Sequence, residues 1–271
     1  MTYAFPPGGL PPMTDEPDSN RAHFTESYAF IPAATMRSIT TSYLPNWTGT
    51  HCWIIARPLT GFAETFAQYA VEVAPNGGSD SPEPDRDAEG VLFIAEGTME
   101  LIIAGQTYIL GPGGYVYAPP ATRWTLRNAG TTPLRFHWIR RRYTPIFGQD
   151  APFPFVTSDQ ETPIRWMPGT DKWGTTRFVD PTDLTHDMHV NIVTFHPGGR
   201  IPFAETHVME HGLYVLEGTA QYLLNERWVD VGPGDFMWLR AFCPQACIAT
   251  GDGPFRYLLY KDVNRHPALK L

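Results

Sequence analysis

The sequence has 271 residues, of which 42% are hydrophobic and 13% aromatic, so the chain can bury a substantial core. Its formal net charge of −8 argues against nucleic acid and anionic membranes as partners, and no apolar stretch is long enough to cross a bilayer. The first residues, MTYAFPPGGLPPM, lack the basic and apolar regions of a secretory signal. We therefore expect a cytoplasmic protein that acts on small molecules.

The chain begins with a Pro-rich arm, residues 1–45, which we predict to pack across the edge of a sheet. Residues 46–143 follow as short segments rich in Val, Ile, Tyr, Phe and Trp, separated by Gly/Pro turns such as APNGG and LGPGG. Almost no run has helical periodicity, so these segments predict strands. Turn signals at intervals of about 8 to 12 residues predict a sandwich or a barrel.

Residues 144–176 form a connector that begins TPIFGQDAPFPF, and residues 177–271 repeat the strand-and-turn pattern and end in a C-terminal tail. The three cysteines, Cys52, Cys243 and Cys247, are an odd number and have no CxxC spacing, which predicts reduced thiols used as small core residues. The whole pattern predicts an all-β protein with two β-barrel or jelly-roll domains.

The two β-rich regions resemble each other at one fixed offset. The segment VLFIAEGT around Gly97 matches LYVLEGT around Gly218, and GPGGY from Gly111 matches GPGDF from Gly232. Both pairs differ by 121 positions, since 218 − 97 = 121 and 232 − 111 = 121. One ungapped shift that aligns both landmarks predicts a tandem duplication.

A cluster of potential metal ligands lies in the second copy. Gly199 is followed by five residues, then Glu205-x-His207, three residues, His211, six residues and Gly218. This spacing resembles the first motif of the cupin family, with Glu in place of the first His and His in place of the Glu. The resemblance implies that Glu205, His207 and His211 are metal ligands.

The resemblance also implies a fourth ligand, because the second cupin motif places a His eleven residues after the glycine of a Gly-Asp turn. The count from Gly234 reaches Gln245. Two imidazoles, a carboxylate and an amide oxygen form a mixed, fairly hard set, which favours Mn²⁺ or Fe²⁺ over structural Zn²⁺; we expect Mn²⁺. Four protein ligands leave two positions of an octahedral ion open, which indicates a catalytic site.

The first copy has no such ligands. A shift of 121 positions places Pro84, Arg86, Gly90 and Trp124 at the four ligand positions. Proline and glycine have no side-chain donor atom, arginine is a cation, and the tryptophan indole only donates hydrogen bonds. We therefore predict a tandem cupin, or bicupin, with a metal-free barrel at residues 46–143 and a metal-binding barrel at residues 177–271.

The same alignment suggests substrate-contacting residues. Tyr222, Tyr257 and Lys261 stand where the first copy has Leu101, Phe136 and Arg140. Tyr257 and Lys261 are four residues apart on a predicted strand, so they lie on one face. The alternative interpretation, two core tyrosines and an exposed lysine, is equally compatible with the sequence at this point.

The remaining polar residues are interpreted as structural rather than functional. Cys243 and Cys247 flank Gln245 at a spacing of two and are interpreted as buried small residues rather than ligands. His186 and His189 have no third ligand at a fitting spacing and are interpreted as polar residues at a strand edge. Glu210 is predicted to point outward into solvent by strand alternation. The arginines at 140–142 are interpreted as a solvated face.

Three longer segments resemble the (S)-ureidoglycine aminohydrolase family, namely FAETHVMEHGLYVLEG, DFMWLRAFCPQAC and FRYLLYKDVNRH. The likeness extends through both copies, over nearly everything after about residue 22. It implies manganese held by Glu205, His207, His211 and Gln245, and a substrate pocket that includes Glu205, Tyr222, Tyr257 and Lys261. The implied reaction replaces the amine of ureidoglycine with a hydroxyl, with Lys261 as the candidate for proton transfer and the tyrosines as hydrogen-bond partners of the ureido group.

Two other functions remain open on the sequence alone. An iron-dependent cupin dioxygenase would consume oxygen, although the Glu and Gln ligands in place of further histidines disfavour it. A non-catalytic metal-binding bicupin would have no reason to keep open coordination positions and a lysine beside the ion. In each case we expect a small-molecule ligand and a homo-oligomer.

Overall fold

The computed structural model describes residues 3–4, 22–38, 41–263 and 265. Helix is confined in them to α1 (Ala33–Ser38) and one 3-10 turn, Pro58–Thr60, and the rest of the regular structure is strand. The all-β prediction is confirmed. No helix in these ranges has the length and apolar character that a membrane span requires.

Strands of the first half lie in one curled sheet of eleven strands. The first thirteen strands of the chain are β1 (Tyr3–Ala4), β2 (His23–Phe24), β3 (Tyr28–Ile31), β4 (Thr41–Ser42), β5 (Trp47–Ala56), β6 (Ala67–Ser79), β7 (Ala88–Glu96), β8 (Met99–Ile103), β9 (Gln106–Leu110), β10 (Gly114–Ala118), β11 (Trp124–Asn128), β12 (Leu134–Arg142) and β13 (Phe155–Ser158). The main order is β1-β4-β5-β6-β12-β7-β10-β13, and β11 joins β6 to the β8–β9 hairpin.

The second half contains an eight-stranded and a three-stranded sheet. Its strands are β14 (Ile164–Trp166), β15 (Trp173–Arg177), β16 (Met188–Phe195), β17 (His211–Glu217), β18 (Ala220–Leu224), β19 (Arg227–Val231), β20 (Phe236–Leu239), β21 (Gln245–Ala249) and β22 (Phe255–Asp262). The larger sheet has the order β14-β15-β16-β22-β17-β20-β3-β2, and the smaller has the order β19-β18-β21. Strands β14 and β15, which lie mostly in the predicted connector, thus pair with the second half.

The duplication predicted from the sequence is confirmed by the strand positions. Five strands of the first half, β6, β8, β9, β11 and β12, begin 121 residues before β16, β18, β19, β21 and β22. Two of these starts, for example, are Ala67 and Met188, and 188 − 67 = 121. Each half therefore repeats one β-barrel unit.

The two halves exchange strands. Strand β3 precedes the first barrel in the chain but pairs with β20 of the second, from Phe236 opposite Ile31 to Leu239 opposite Tyr28, and β2 pairs with β3 at the edge of the sheet. Strand β13 precedes the second barrel but pairs with β10 of the first. The exchanged strands extend the sheet of the other half, which ties the two barrels together.

Three hydrophobic cores stabilise the molecule. One fills the second barrel and includes Cys243 and Cys247, as predicted for buried thiols, while another fills the first barrel and includes Cys52. The third lies between the barrels, where the rings of Phe66 and Tyr260 stack with centroids 4.0 Å apart. Gly212 allows this contact, because a Cβ atom there would lie 2.5 Å from the Phe66 ring.

The prediction of a solvated arginine face at 140–142 was wrong for two of the three residues. Arg141 lies between the barrels, where its Nη1 donates a hydrogen bond of 2.9 Å to the Asp187 carbonyl oxygen. Arg140 forms an ion pair with Glu83 and lies over the Trp138 ring, 4.9 Å from its centroid. Glu83 and Asp187, which lie in loops far from β12 in the chain, and Trp138, on β12 itself, explain both positions.

Candidate functional site

The predicted metal ligands come together at one end of the second barrel. Glu205 lies in the loop before β17, and Gln245 is the first residue of β21. Their backbones form an antiparallel bridge, in which each N–H donates to the carbonyl oxygen of the other at 2.9 Å. This bridge fixes the loop against the strand and places the Glu205 and Gln245 side chains next to each other.

The two histidines complete the cluster. His207 Nε2 lies 3.4 Å from Glu205 Oε1, and the His207 and His211 rings lie 5.1 Å apart between centroids. His211 begins β17 and is only 4% exposed, whereas the His207 side chain is 32% exposed. Burial, aided by His207 and Lys261, lowers the pKa of His211 to about 3. The buried imidazole is therefore neutral, the form that binds metals.

The donor atoms of this cluster bear on whether it suits a metal ion. Within the described ranges, no group of three or more His, Cys, Asp or Glu side chains is arranged so that it could hold an ion, so Glu205, His207 and His211 do not form such a group. The predicted set adds the Gln245 amide oxygen to these three residues. The set fits Mn²⁺ in chemistry, with a neutral imidazole, a carboxylate and an amide oxygen close together. Manganese itself stays a prediction.

Gln245 is oriented by a buried tyrosine pair. The Tyr222 hydroxyl donates a hydrogen bond of 2.8 Å to Gln245 Oε1, and the Tyr222 and Tyr257 rings meet edge to face at 5.9 Å. Both tyrosines lie in the core of the second barrel, where burial raises their pKa values well above the usual range. They are thus neutral hydrogen-bond donors, and Tyr222 is already committed to Gln245.

Lys261 lies on β22 between the two strands that carry histidines. It is directly opposite His211 on β17 and directly opposite His189 on β16, so the three side chains point to the same face. Burial and the nearby Arg177 lower the pKa of Lys261, and Asp262 opposes that shift. A larger fraction of the Lys261 amine is therefore neutral than in an exposed lysine.

The interpretation of His186 and His189 as strand-edge residues was wrong. They are 6% and 4% exposed, and the His186 ring packs against Tyr117 of the first barrel at 4.7 Å between centroids. His189 lies on β16, which has β15 on one side and β22 on the other. Asn191, two residues on, is also buried and was not considered from the sequence. The alternation of polar His189 and Asn191 with apolar Val190 was the available signal.

The prediction that Glu210 points into solvent was also wrong. Its side chain is 7% exposed and accepts hydrogen bonds from the Glu64 N–H at 2.6 Å, the Thr65 N–H at 2.9 Å and the Trp238 indole N–H at 2.5 Å. Strand alternation did not apply, because β17 begins only at His211. Glu210 therefore joins a loop of the first barrel to the residue beside the site.

The corresponding end of the first barrel is a cavity in which the four matching positions carry no metal-ligating side chain. Pro84, Arg86, Gly90 and Trp124 all line this cavity, which has a volume of about 600 Å³. The four positions thus remain together in space in both copies. Only the second copy provides side chains that can hold a metal ion there.

Comparison with known proteins agrees with this architecture. The cupin domain family model matches residues 69–140 and 191–260. The chain is 32% identical to the (S)-ureidoglycine aminohydrolase of Escherichia coli K12 over 82% of this chain and 84% of that protein. It is 31% identical to the (S)-ureidoglycine aminohydrolase of Arabidopsis thaliana over 94% of this chain and 82% of that protein.

A solved structure extends the likeness to the whole chain. The crystal structure of a Pseudomonas aeruginosa protein described as glyoxylate-induced is 58% identical and superimposes with a TM-score of 0.89, covering 100% of this chain and 99% of that one. Two cupin matches and curated relatives above 30% identity over most of their length establish the kinship. The chain therefore belongs to the (S)-ureidoglycine aminohydrolase family of cupin proteins.

Proposed function

We propose that the chain catalyses the manganese-dependent hydrolysis of (S)-2-ureidoglycine to (S)-ureidoglycolate and ammonia, a step of allantoin and purine catabolism. Its curated relatives carry the name of this activity. The observation that carries the proposal is the position of Lys261 directly opposite His211, at the end of the barrel where the four predicted ligands meet. A proton-transfer group beside a ligand cluster suits hydrolysis better than storage of an ion.

The reaction breaks the C–N bond to the amine of the substrate and forms a C–O bond to water. Water must lose a proton and the departing amine must gain one, so one group that accepts and then returns a proton serves both needs. Lys261 Nζ is our candidate, because burial and Arg177 lower its pKa toward the working pH. Glu205, Tyr222, Tyr257 and Lys261 are proposed to line the substrate pocket.

Glu205, His207, His211 and Gln245 would hold the manganese ion. When bound, such an ion supplies Lewis-acid chemistry that anchors the carboxylate and amine of the substrate and fixes the face open to water. The protein contributes the neutral imidazole of His211 and the Tyr222 hydroxyl that orients the Gln245 amide. We further propose that the enzyme works in the cytoplasm as a homo-oligomer on a small-molecule substrate.

Ammonia release from allantoate-derived ureidoglycine tests the proposed function. Protein with added Mn²⁺ should release ammonia and bind one ion per chain, because only the second barrel provides ligands, whereas chelator-treated protein should be nearly inactive. Oxygen uptake without ammonia release would contradict the proposal and indicate a dioxygenase. Binding of two ions per chain would contradict the assignment of one site.

Alanine variants of the four ligands give a second test. Glu205→Ala, His207→Ala, His211→Ala and Gln245→Ala should each weaken Mn²⁺ binding and nearly abolish ammonia release, while circular dichroism shows an intact fold. Arg86→Ala, at the matching position of the first barrel, is the control and should change neither metal content nor rate. Unfolding of all four ligand variants would instead mark the ion as structural.

A further inference from the structure

Strand β16 separates two environments by alternation of its side chains. Met188, Val190 and Ile192 pack in the core between the barrels. Val193 and Phe195 pack in the core of the second barrel. Since alternate residues of a strand share a face, His189 and Asn191 point into the second barrel together with Val193 and Phe195.

Both polar side chains on this inner face carry an unused hydrogen-bonding atom. His189 and Asn191 are each 4% exposed. His189 Nε2 and Asn191 Oδ1 are buried and find no hydrogen-bond partner among the residues that the structure describes. A buried polar atom without a partner destabilises the fold, so two such atoms on one face of one strand require an explanation.

These atoms lie beside the groups assigned to catalysis. His189 is directly opposite Lys261 on β22, and Asn191 is directly opposite Arg177 on β15. The row of paired residues from His189 through Lys261 continues to His211 on β17. Two cations, Lys261 and Arg177, thus face this wall, and the unused atoms of His189 and Asn191 are its neutral hydrogen-bonding groups.

We propose that His189 and Asn191 form the subsite that recognises the ureido group of the substrate. Asn191 Oδ1 accepts a hydrogen bond from the terminal amino group, and His189 Nε2 donates one to the ureido carbonyl oxygen. This inference rests on the proposed function, since it assigns a ureido-bearing substrate to the same site. In this arrangement, the cations Lys261 and Arg177 face the carboxylate group of the substrate.

The chemistry of the wall matches a neutral group better than a charged one. A ureido group offers N–H donors and one carbonyl acceptor, which complement one acceptor and one donor on the protein. The tyrosines were expected to hold this group, but the Tyr222 hydroxyl is bonded to Gln245 and the two tyrosines contact each other. His189 and Asn191 instead each have a side-chain atom that is available for a hydrogen bond to the ureido group.

Two isosteric ligands test the subsite on the manganese-loaded protein. N-Carbamoylglycine ends in an amino group where N-acetylglycine has a methyl group, and neither has the amine that the enzyme would release. By titration calorimetry, the wild-type protein should bind N-carbamoylglycine about tenfold more tightly, the effect of one buried hydrogen bond. Asn191→Leu should reduce this preference to near one. His189→Leu should weaken both ligands alike, because both contain the carbonyl.

Thermal unfolding separates a binding role from a structural one. Asn191→Leu removes a buried atom that bonds to nothing in the described chain, so its Tm should stay equal or rise. Thr194→Val is the matched control and should keep the ligand preference. Thr194 Oγ1 is also buried and finds no partner in the described part of the chain, but it lies on the opposite face of β16. A fall in Tm with loss of both ligands would overturn the proposal in favour of a structural asparagine.

The outcomes also distinguish this inference from the proposed function. Ammonia release from ureidoglycine by the wild type, with an unchanged tenfold preference in Asn191→Leu, would overturn the ureido subsite alone. Failure of the wild type both to release ammonia and to bind either analogue would overturn the subsite and the proposed function together. The subsite and the proposed function are both supported if the wild type releases ammonia and if, of Asn191→Leu and Thr194→Val, only Asn191→Leu loses the preference for N-carbamoylglycine.

Discussion

A single side chain, Lys261, links the ligand cluster to the proposed chemistry. It lies in the same row as His189 and His211, yet a lysine amine that shuttles a proton is not required for metal binding. Its counterpart in the first barrel is Arg140, a guanidinium side chain paired with Glu83, and a guanidinium does not serve as a base. The two copies thus differ in the one property that proton transfer needs.

Lys261→Met should lower kcat by about 10² to 10⁴ and leave the Mn²⁺ content unchanged, because it removes the proton-transfer group and keeps a side chain of similar length. Steady-state kinetics and metal analysis measure the two effects. The exposed Lys172→Met serves as the control. A normal kcat with a raised KM would show that Lys261 only holds the substrate carboxylate.

In the proposed site, Tyr222 would act on the ion through Gln245 rather than by direct contact. Tyr222→Phe removes the hydroxyl that donates to Gln245 Oε1 and keeps the ring that packs against Tyr257. Loss of such an outer hydrogen bond typically weakens metal binding by about 10- to 100-fold, and we expect this range here. Competition with a metal-sensitive chelator measures it. Tyr115→Phe, a buried tyrosine of the first barrel, should leave the affinity unchanged.

The loop between β5 and β6 is the element that joins the first barrel to the site. Its Glu64 and Thr65 backbone N–H groups donate to the Glu210 carboxyl group, and Phe66 stacks on Tyr260. The Glu210 N–H in turn donates to Asp262 Oδ1 at 2.6 Å, next to Lys261. Through Glu210, the loop thus holds in place the residues adjacent to His211 and Lys261.

Glu210→Gln should destabilise the protein by about 1–3 kcal/mol, because the amide NH₂ would face N–H donors that now bond to a carboxyl oxygen. Chemical denaturation followed by fluorescence measures the difference. Glu64→Gln is the matched control in the same loop, since its side chain is exposed and its contribution is a backbone N–H. Equal stabilities of the two variants would contradict the role assigned to Glu210.

The repeat explains which elements could be predicted from the sequence. An offset of 121 residues located the paired strands and the four positions at the barrel end, because Gly/Pro turns and alternating apolar residues are local signals. The partners of Glu210, His189 and Arg141 come from the other barrel or from a strand more than 40 residues away in the chain. No local pattern reports such pairing, so all three were placed on the surface.

Strand exchange was unpredictable for the same reason. The sequence of the arm gives β3 an apolar strand pattern but does not say which sheet edge it covers. The structure shows that β3 covers the second barrel and that β13 covers the first. The packing of the Pro-rich arm across a sheet edge stays a prediction, since residues 1–2, 5–21 and 39–40 of the arm lie outside the described residues.

At the scale of the whole molecule, the barrels meet at a buried cluster of charged groups. Glu89 of the first barrel is fully buried, and its Oε2 accepts a hydrogen bond of 2.7 Å from the Tyr117 hydroxyl. Arg141 Nε lies 4.0 Å from Glu89 Oε1, and Arg141 also binds Asp187 of the connecting segment before β16. Burial raises the pKa of Glu89 to about 8, an effect that Asp187 reinforces and that Tyr117 and Arg141 oppose.

This shift predicts that the junction weakens as the pH rises. The folded protein keeps the Glu89 proton up to a pH of about 8, whereas the unfolded chain loses it near the ordinary value of 4.5. The stability from this group is therefore fully present below pH 4.5 and is lost as the pH rises through about 8. Glu89→Gln keeps the side chain neutral at every pH, so its Tm should rise relative to that of the wild type between about pH 4.5 and pH 8, and the difference should stay constant at higher pH.

Comparison of the two proteins by calorimetry at each pH cancels the contributions of groups that they share. The exposed Glu226→Gln serves as the control and should follow the wild type throughout. Parallel Tm curves for the wild type and Glu89→Gln would show that Glu89 is ionised in the folded protein, and that Arg141 stabilises a charged rather than a protonated carboxyl group. Diverging Tm curves would show that Glu89 is protonated and neutral at the junction of the two barrels. Arg141 would then form its ion pair with Asp187 rather than with Glu89.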